Sequence, residues 1–332
     1  MRVMIAGMGS IGRRHLHNLV ALGERDIVLF RTHRATLPNA DLTAFPTETD
    51  LGAALAHRPD AVIVANPTSE HLAVAIPAAH AGCHLLLEKP VSHTLEGLEE
   101  LARAVRRTGS RVLVGYQFRF HPGLRELRRV VEDGSLGKVI GARAHWGEYL
   151  PDWHPWEDFR RSYAARADLG GGVLRTLSHP FDYLRWLLGE AKVLWGRAAR
   201  SGELEIDVED VADVMLAFPS SVIGTVHLNF LQKPTSHFVE VTGTRGAAVW
   251  RAEEGSVHVG DSDHSAERSI GSPVGYERNE MFLAEMRHFR DVVAGVAEPG
   301  CGLQDGVRAL EIALQAEGFP PAARDPALVP GP

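Results

Sequence analysis

Two side chains in this sequence are of types that exchange protons with a substrate, and each has an unusual local context. Lys89 lies just past three leucines that predict a buried strand, so its pKa could be lowered enough for proton transfer, and Glu88 could pair with it. His179 follows the glycine run Gly170–Gly172, which permits close approach of the backbone to a ligand. Asp182, three residues further on, could orient its imidazole on a helix. A solvated lysine and a packed histidine are the alternative interpretations.

Aromatic and basic side chains gather between residues 119 and 163. Aromatic faces with a few polar groups suit a sugar or a cyclitol, and they are equally typical of a core or an interface. The candidate substrate residues in this group are Arg119, Trp153, Trp156 and Tyr163.

The element that would hold a cofactor beside these residues lies at the N-terminus. An apolar run over residues 1–6 is followed by Gly7-Met-Gly9-Ser10-Ile11-Gly12 and then by a helical pattern. This order predicts a dinucleotide site, in which Gly7 permits a tight turn, Gly9 admits the pyrophosphate and Gly12 lets helix and strand pack closely. Backbone amides at Ser10 and Ile11, where the helix starts, favour phosphate charge. A plain glycine turn is the alternative.

The residues after the second predicted strand favour NADP over NAD. Enzymes that bind NAD usually place Asp or Glu about 20 residues past the glycines, where it bonds the ribose 2′-hydroxyl. This sequence has no carboxylate between Asp26 and Asp41. It offers Arg31, Thr32 and Arg34 instead, and guanidinium groups suit a 2′-phosphate. Exposed loop charges are the alternative interpretation.

Further cofactor contacts are expected where other strands end, because ligands of an open α/β sheet lie beyond the carboxyl ends of the strands. Asn66-Pro67-Thr68 follows the third predicted strand, although an N-cap at Thr68 would account for the same residues. The remaining candidates along this edge are His71, Glu88, Lys89 and Gln117.

The order of elements predicts an α/β protein with two domains. Apolar runs alternate with helical patterns over residues 1–120, which is typical of a doubly wound parallel sheet and a dinucleotide-binding domain. Residues 121–318 predict a helix near 174–188 and then several strands in succession, as in an α+β domain with an antiparallel sheet open on one face. Residues 319–332, rich in proline and alanine, are expected to be poorly ordered.

Composition limits the partners that can be expected. The 332 residues are 45% hydrophobic and carry a formal net charge of −7, which argues against general affinity for nucleic acid. No apolar stretch approaches the ~20 residues that span a membrane, and no signal peptide precedes the first strand, so we expect a cytoplasmic protein. Cys83 and Cys301 are too few for a disulfide scaffold, and no spacing of ligand side chains predicts a metal site.

Taken together, these segments resemble the Gfo/Idh/MocA oxidoreductases, the group of glucose–fructose oxidoreductase and inositol dehydrogenase. The resemblance is carried by the N-terminal glycine turn, Glu88-Lys89-Pro90, Tyr116-Gln-Phe-Arg119-Phe, and Gly170–Gly172 with His179 and Asp182. It implies a Rossmann domain followed by a domain with a large, open-faced, mostly antiparallel sheet, through which homodimers or homotetramers pack. It also implies hydride transfer between nicotinamide and a sugar, sugar derivative or cyclitol, with Lys89 as the active-site lysine and His179 as the helix histidine.

One position departs from the family pattern. The family usually has Asp or Asn three or four residues before the histidine, where this sequence has Arg175 and Thr176. A hydroxyl cannot stabilise Lys89 or His179 as a cation. The departure points to altered or slower catalysis, or to a substrate with its own negative charge, which Arg175 could bind. Two other functions stay open: NAD-dependent cleavage of glycosides through transient oxidation, and a regulator that binds a dinucleotide or sugar without reaction.

Overall fold

The computed structural model describes residues 1–32, 42–155, 157–261 and 268–319. The predicted site residues Arg34 and Trp156 lie outside these ranges, as do residues 320–332 of the predicted tail.

The N-terminal sheet is parallel throughout. Its strands are β1 (Val3–Ala6), β2 (Ile27–Phe30), β3 (Thr47–Glu48), β4 (Ala61–Val64), β5 (His84–Leu87) and β6 (Val112–Val114). They have the order β3-β2-β1-β4-β5-β6. Every residue of β1 and β4 is buried, because elements pack on both faces of the sheet, and this explains the continuous apolar runs in the sequence. The predicted doubly wound sheet is confirmed.

Helices connect these strands. They are α1 (Ser10–Ala21), α2 (Leu51–Ala56), α3 (His71–His80) and α4 (Leu98–Thr108). Helix α4 ends at Gly109 in the left-handed conformation, as a glycine after a helical pattern predicts. The hydrophobic pattern does not predict β3 and α2, which are two and six residues long and therefore too short for a periodic signal.

The second sheet has eight strands and one open face. The strands are β7 (Val139–Tyr149), β8 (Lys192–Ala199), β9 (Val211–Ala217), β10 (Ile223–Asn229), β11 (Leu231–Gly243), β12 (Gly246–Arg251), β13 (Ser256–Asp261) and β14 (Arg268–Ile270). Their order is β14-β13-β12-β11-β7-β10-β9-β8, and only β7 and β10 pair in parallel within this described sheet. In β9, buried Val214 and Leu216 alternate with exposed Asp213 and Met215, as expected when one face is uncovered. The predicted mostly antiparallel, open-faced sheet is confirmed.

The remaining helices pack on the inner face of this sheet and on the first sheet. They are α5 (Pro122–Glu132), α6 (Val173–Thr176), α7 (His179–Leu188), α8 (Asn279–Val293) and α9 (Leu303–Glu317). Helix α8 lies against α1, where the side chains of Asn279 and Asn18 are 2.9 Å apart. The carbonyl of Cys301, just before α9, accepts the N–H of Val114 in β6 at 2.9 Å. The two C-terminal helices therefore return to the dinucleotide half, while the predicted division at residue 120 stays a prediction.

In the ranges that the structure covers, no helix combines the length and the apolar character needed to cross a bilayer.

Candidate active site

The N-terminal glycine turn has the shape that a pyrophosphate requires. Gly7 has φ of +91°, and a Cβ there would lie 2.5 Å from the backbone nitrogen of Asn66. A Cβ on Gly12 would run into the carbonyl oxygen of Gly7, so helix α1 can pack this closely on β1 only through glycine. A Cβ on Gly9, in contrast, would meet nothing within 4 Å. The turn therefore leaves its backbone open at the one glycine where a ligand is expected to approach.

The start of α1 is also free to receive an anion. Gly9 is its N-cap and makes no side-chain cap hydrogen bond, and the first turn holds no acidic residue. Helix N-termini have unpaired amides and partial positive charge, both of which favour phosphate oxygens. Ser10 and Ile11 begin the helix at this point, so the turn fits a dinucleotide.

The expected ribose contacts lie at the end of β2. Arg31 is buried, and its main-chain N–H donates to the carbonyl of Glu48 in β3 at 3.0 Å. Arg31 is therefore not an exposed loop charge. Thr32 is exposed, and Arg34 lies beyond the described part of this segment.

The loop after β4 is held by side chains rather than by a helix cap. Asn66 Nδ2 donates to the carbonyl of Glu70 at 2.9 Å, and the ring of His71 lies 3.0 Å from the carbonyl of Asn66. Burial lowers the pKa of His71 to about 4, so its ring is neutral and Nε2 donates to that carbonyl. Pro67 is the N-cap of the short 3₁₀ turn Thr68–Glu70 and Glu70 is that of α3, and neither end has a side-chain cap hydrogen bond, so Thr68 is not the predicted cap. Buried Oδ1 of Asn66 has no partner in the described structure, which suits a ligand contact.

Lys89 stands two residues past the carboxyl end of β5. Its Nζ donates to the carbonyl oxygen of Thr176 at 2.7 Å, and the Lys89–Pro90 peptide bond is cis. The ammonium of Lys89 does not form the predicted ion pair with Glu88 among the described residues. Glu88 faces α1 instead, where Oε1 lies 2.8 Å from Nε2 of His15, and Oε2 accepts the main-chain N–H of Lys89 at 3.2 Å.

Pro180 explains why the carbonyl of Thr176 is available to Lys89. In one continuous helix that carbonyl would accept the N–H of residue 180, which proline lacks. The chain forms two helices here, with α6 ending at Thr176 and α7 beginning at His179, instead of the single predicted helix over 174–188. The interruption between α6 and α7 leaves the carbonyl of Thr176 free to accept a hydrogen bond from Nζ of Lys89.

His179 lies in an aromatic cage. Ring centroids of Phe118, Tyr116 and Trp146 lie 4.9, 5.3 and 5.5 Å from its own. Burial, and then the charge of Lys89, hold the pKa of His179 well below its ordinary value, so the imidazole is neutral at neutral pH. Its Nδ1 is buried with no hydrogen-bond partner among the described residues.

Asp182 does not orient His179. Its carboxylate forms a bidentate ion pair with Arg119, at 2.9 Å from Nε and 2.6 Å from Nη2. Arg119 is buried and also donates to the carbonyl of Gly300 at 2.6 Å. The predicted catalytic role of Asp182 and substrate role of Arg119 are thus replaced by a buried pair that ties α7 to the segment after β6, because each charge needs a partner inside the protein.

Arg175 and Thr176 also differ from expectation in their contacts. The guanidinium of Arg175 pairs with both oxygens of Glu317 in α9, at 3.0 and 2.6 Å, so a substrate anion would have to displace a carboxylate. Thr176 contributes its backbone carbonyl to Lys89, while its buried Oγ1 has no partner in the described chain.

Three further predicted residues, Trp153, Tyr163 and Gln117, are described by the structure. Trp153 is half-buried and packs edge-on against Phe230, with 5.7 Å between ring centroids. The carbonyl of Tyr163 lies against Gly171, which makes this residue part of the packing around the glycine run. Gln117 is buried in the 3₁₀ turn after β6.

Five residues around the site were not predicted as site residues. They are His15, Tyr116, Phe118, Trp146 and His237, of which the last stacks on Trp146 with 4.2 Å between centroids. Tyr116 and Phe118 belong to the family motif over residues 116–120, and His15 lies three residues after Gly12 on the same helix face, so these three had a signal in the sequence. No cluster of three or more His, Cys, Asp or Glu suited to a metal occurs in the part of the chain described.

Comparison with protein families matches both halves of the chain. Residues 1–116 match an oxidoreductase family model described as an NAD-binding Rossmann fold, and residues 124–249 match the GFO/IDH/MocA C-terminal domain. The chain therefore belongs to the Gfo/Idh/MocA oxidoreductase family, and the resemblance predicted from its motifs is confirmed.

Curated relatives and a solved structure extend this result. The chain is 29% identical over 327 residues to the myo-inositol dehydrogenase Hyg17 of Streptomyces leeuwenhoekii, covering 96% of each protein. It is 29% identical over 249 residues to the uncharacterized oxidoreductase sll0816 of Synechocystis sp., covering 70% of this chain and 64% of that protein. A levoglucosan dehydrogenase in complex with NADH and levoglucosan has the same fold, with a TM-score of 0.84 and 19% identity over 95% of this chain and 96% of that one.

Proposed function

We propose that this oxidoreductase transfers a hydride between a nicotinamide dinucleotide and a carbinol or ketone carbon of a sugar, sugar derivative or cyclitol, with Lys89 handling the proton. The observation that carries the proposal is the placement of the Lys89 ammonium. It lies past the end of β5, at the sheet edge that also carries the open Gly9 turn, and a neutral carbonyl 2.7 Å away holds it. A lysine held by a carbonyl keeps its proton available to a substrate oxygen.

The residues around Lys89 support proton handling at this point. A bound nicotinamide ring supplies the hydride chemistry. During reduction the Lys89 ammonium would give a proton to the reacting oxygen, and during oxidation the neutral Lys89 amine would take up the proton of the substrate hydroxyl. His179, neutral in its aromatic cage, is a second group that can accept or donate at a substrate hydroxyl. The unpartnered Oγ1 of Thr176 supplies a further hydrogen bond to a polyol, in place of the charge that the family usually has there.

We favour NADP over NAD as the cofactor. Arg31 and Thr32 follow β2, and no carboxylate lies between Asp26 and Asp41 to bond a ribose 2′-hydroxyl. The levoglucosan dehydrogenase of the same fold is a complex with NADH, so both dinucleotides belong in any assay.

Sugars and cyclitols are the substrates to test first. Myo-inositol dehydrogenase and levoglucosan dehydrogenase are named for a cyclitol and an anhydrosugar, respectively. The aromatic residues Trp146 and Phe118 beside His179 provide the apolar faces that such ring substrates use.

We also propose that copies of the chain associate through the open face of the second sheet. Trp195, Met215 and Ile223 expose 38%, 37% and 49% of their surface there. Trp195 and Met215 are directly opposite each other in neighbouring strands. Exposed apolar side chains grouped on one sheet face are typical of an interface, and light scattering would give the mass of the assembly.

The decisive experiment measures reduction of NADP and NAD with a panel of sugars and cyclitols, for the wild type and for Lys89→Met. Lys89→Met is expected to lower kcat by at least about 10²-fold while the dissociation constant of the cofactor stays the same, because general acid–base catalysis contributes 10²–10⁴-fold. Lys138→Met, which removes an exposed lysine far along the chain, is the matched control.

Each of the other outcomes has its own meaning. Full activity in Lys89→Met would refute the assignment of the proton to this residue. Cofactor binding without turnover on any substrate would favour the regulator, and release of an aglycone without accumulation of reduced cofactor would favour the glycosidase.

A further inference from the structure

A buried pair of side chains connects the dinucleotide-binding helix with the active-site lysine. His15 of α1 has no exposed surface, and its Nε2 lies 2.8 Å from Oε1 of Glu88. The other carboxylate oxygen, Oε2, accepts the main-chain N–H of Lys89 at 3.2 Å. The path from α1 to the backbone of Lys89 therefore consists of two hydrogen bonds, with no exposed group in it.

The neighbouring strand confines the carboxylate of Glu88. A Cβ added to Gly115, just after β6, would lie 3.0 Å from Oε2 and 3.2 Å from Oε1. These distances are shorter than ordinary van der Waals contacts of a Cβ, so the glycine makes room for the carboxylate. The carboxylate of Glu88 thus lies between Gly115, His15 and the backbone of Lys89.

Glu88 is charged in spite of its burial. Burial opposes ionisation, but the hydrogen bond and charge of His15, together with the charge of Lys89, hold the pKa of this carboxyl below its ordinary value. A carboxylate only accepts hydrogen bonds, so Nε2 of His15 is the donor. The charged and titratable groups that face Glu88 are His15 and Arg14 from α1, His71 from α3, Lys89, and Glu285 from α8.

We propose that His15 and Glu88 are a positioning dyad for Lys89. The dyad fixes the main chain of the lysine relative to the dinucleotide-binding helix, and with it the place of Nζ beside the carbonyl of Thr176. The inference rests on the proposed function, in which Lys89 handles the proton. A proton carrier has to lie within hydrogen-bond reach of the substrate oxygen, so its main chain must be held in place. Both residues act through Lys89 and are not themselves the proton carriers.

Glu285 supplies a matched control for the charge of Glu88. This carboxyl has no exposed surface, and burial, followed by the charge of Glu88, raises its pKa well above the ordinary value. Glu285 is therefore protonated at neutral pH, and neither oxygen has a hydrogen-bond partner in the ranges described. Glu285→Gln exchanges one neutral group for another of the same shape, whereas Glu88→Gln removes a charge at similar depth.

The test reads Lys89 itself and does not depend on turnover. Reductive methylation of the native protein at one pH is followed at Lys89 by peptide mass spectrometry. In Glu88→Gln the reaction rate at Lys89 is expected to rise by about threefold or more, because an amide accepts through one oxygen only and turns its NH2 towards one of the two donors, which releases Nζ from the carbonyl of Thr176. In Glu285→Gln the rate is expected to equal that of the wild type.

Variants of His15 test the same inference should Glu88→Gln fail to fold. In His15→Leu the buried carboxylate loses the donor that ties it to α1, so the methylation rate at Lys89 is expected to rise as it does in Glu88→Gln. His15→Gln keeps a side-chain N–H for Glu88 and is expected to restore most of the wild-type rate. Thermal melts of each variant identify those that are folded.

Turnover is measured separately on whichever polyol the wild type oxidises. Glu88→Gln and His15→Leu are expected to lower kcat about tenfold with the cofactor dissociation constant unchanged, because a displaced lysine transfers protons less efficiently. An unchanged methylation rate at Lys89 in Glu88→Gln, or an equal rise in Glu285→Gln, would overturn the dyad. The expected variant rates, found for a protein whose wild type turns over no substrate, would support the dyad and count against the proposed function instead.

Discussion

Two glycine-rich segments of this protein look alike in sequence and differ in what surrounds them. At Gly9, in the turn over residues 7–12, an added Cβ would meet nothing within 4 Å. At Gly171, in the run over residues 170–172, it would collide with the carbonyl oxygens of Tyr163 and Ala164. Gly170 is confined in the same way by His93, and Gly172 by the carboxylate of Glu209.

The difference separates two uses of glycine. The first segment clears space for a ligand, while the second clears space for the protein itself, so that α6 and α7 can approach the loops after β4 and β5. The expectation that the run at 170–172 lies against a ligand is therefore corrected, because backbone and side-chain atoms already occupy that space. Both segments also touch one loop, since Gly7 packs on Asn66 and Gly170 on Thr68.

A matched pair of alanine substitutions would test this comparison most directly. Neither Gly9 nor Gly171 has a positive φ, so each substitution reports the surrounding space alone. Gly171→Ala is expected to destabilise the fold by about 2 to 3 kcal/mol, because its Cβ meets backbone that cannot rotate away. Gly9→Ala is expected to leave the unfolding temperature unchanged and to weaken dinucleotide binding about tenfold, since its Cβ enters the space of the pyrophosphate. Urea titration and cofactor fluorescence measure the two effects.

Equal destabilisation by both alanine substitutions would contradict the distinction. So would a Gly171→Ala protein that is fully stable and has lost cofactor affinity.

Pro180→Ala would test whether Pro180 leaves the carbonyl of Thr176 available to Lys89. Alanine restores an N–H that can bond the carbonyl of Thr176, in competition with Nζ of Lys89 at 2.7 Å. We expect kcat to fall roughly fivefold to tenfold without loss of stability, because a misplaced lysine transfers protons less efficiently. Pro122→Ala is the control, since that proline also stands in the first turn of a helix but is not near Lys89. Equal kcat values in both variants would argue that the proline serves only the fold.

The pH dependence of the free energy of unfolding would test the loop after β4, which both glycine segments contact. His71 has its pKa lowered to about 4 by burial, whereas the unfolded chain binds a proton near the ordinary value of 6.5. As pH falls below 6.5, the unfolded state is protonated first, so stability is lost between pH 6.5 and pH 4. Between pH 7 and pH 5.5 this one group is expected to account for about 1 kcal/mol.

His71→Gln keeps a donor for the carbonyl of Asn66 and removes the titration. Its urea midpoint is therefore expected to fall less between pH 7 and pH 5.5 than that of the wild type. Identical pH dependence in the two proteins would refute this account of the loop.

The dinucleotide half was predicted well from the sequence because its determinants are local. Apolar runs lie within one or two residues of β1, β4 and β5, and the glycine spacing implied both the tight turn and the open position. Predictions for the active site named His179 and Lys89 as candidates but assigned several of their neighbours to the wrong contacts. Asp182 pairs with Arg119, 63 residues away, and Arg175 with Glu317, 142 residues away.

The sequence by itself determined the two-sheet fold class, the family and the edge at which a dinucleotide can bind, since spacing and hydrophobic pattern are properties of short segments. Only the tertiary structure decided which charges neutralise each other, that Pro180 leaves a carbonyl for Lys89, and that the run at 170–172 faces protein. Those outcomes depend on buried groups competing for partners that are distant along the chain. A buried charge or hydrogen-bonding group is stable only when such a partner reaches it, and the fold alone determines which one does.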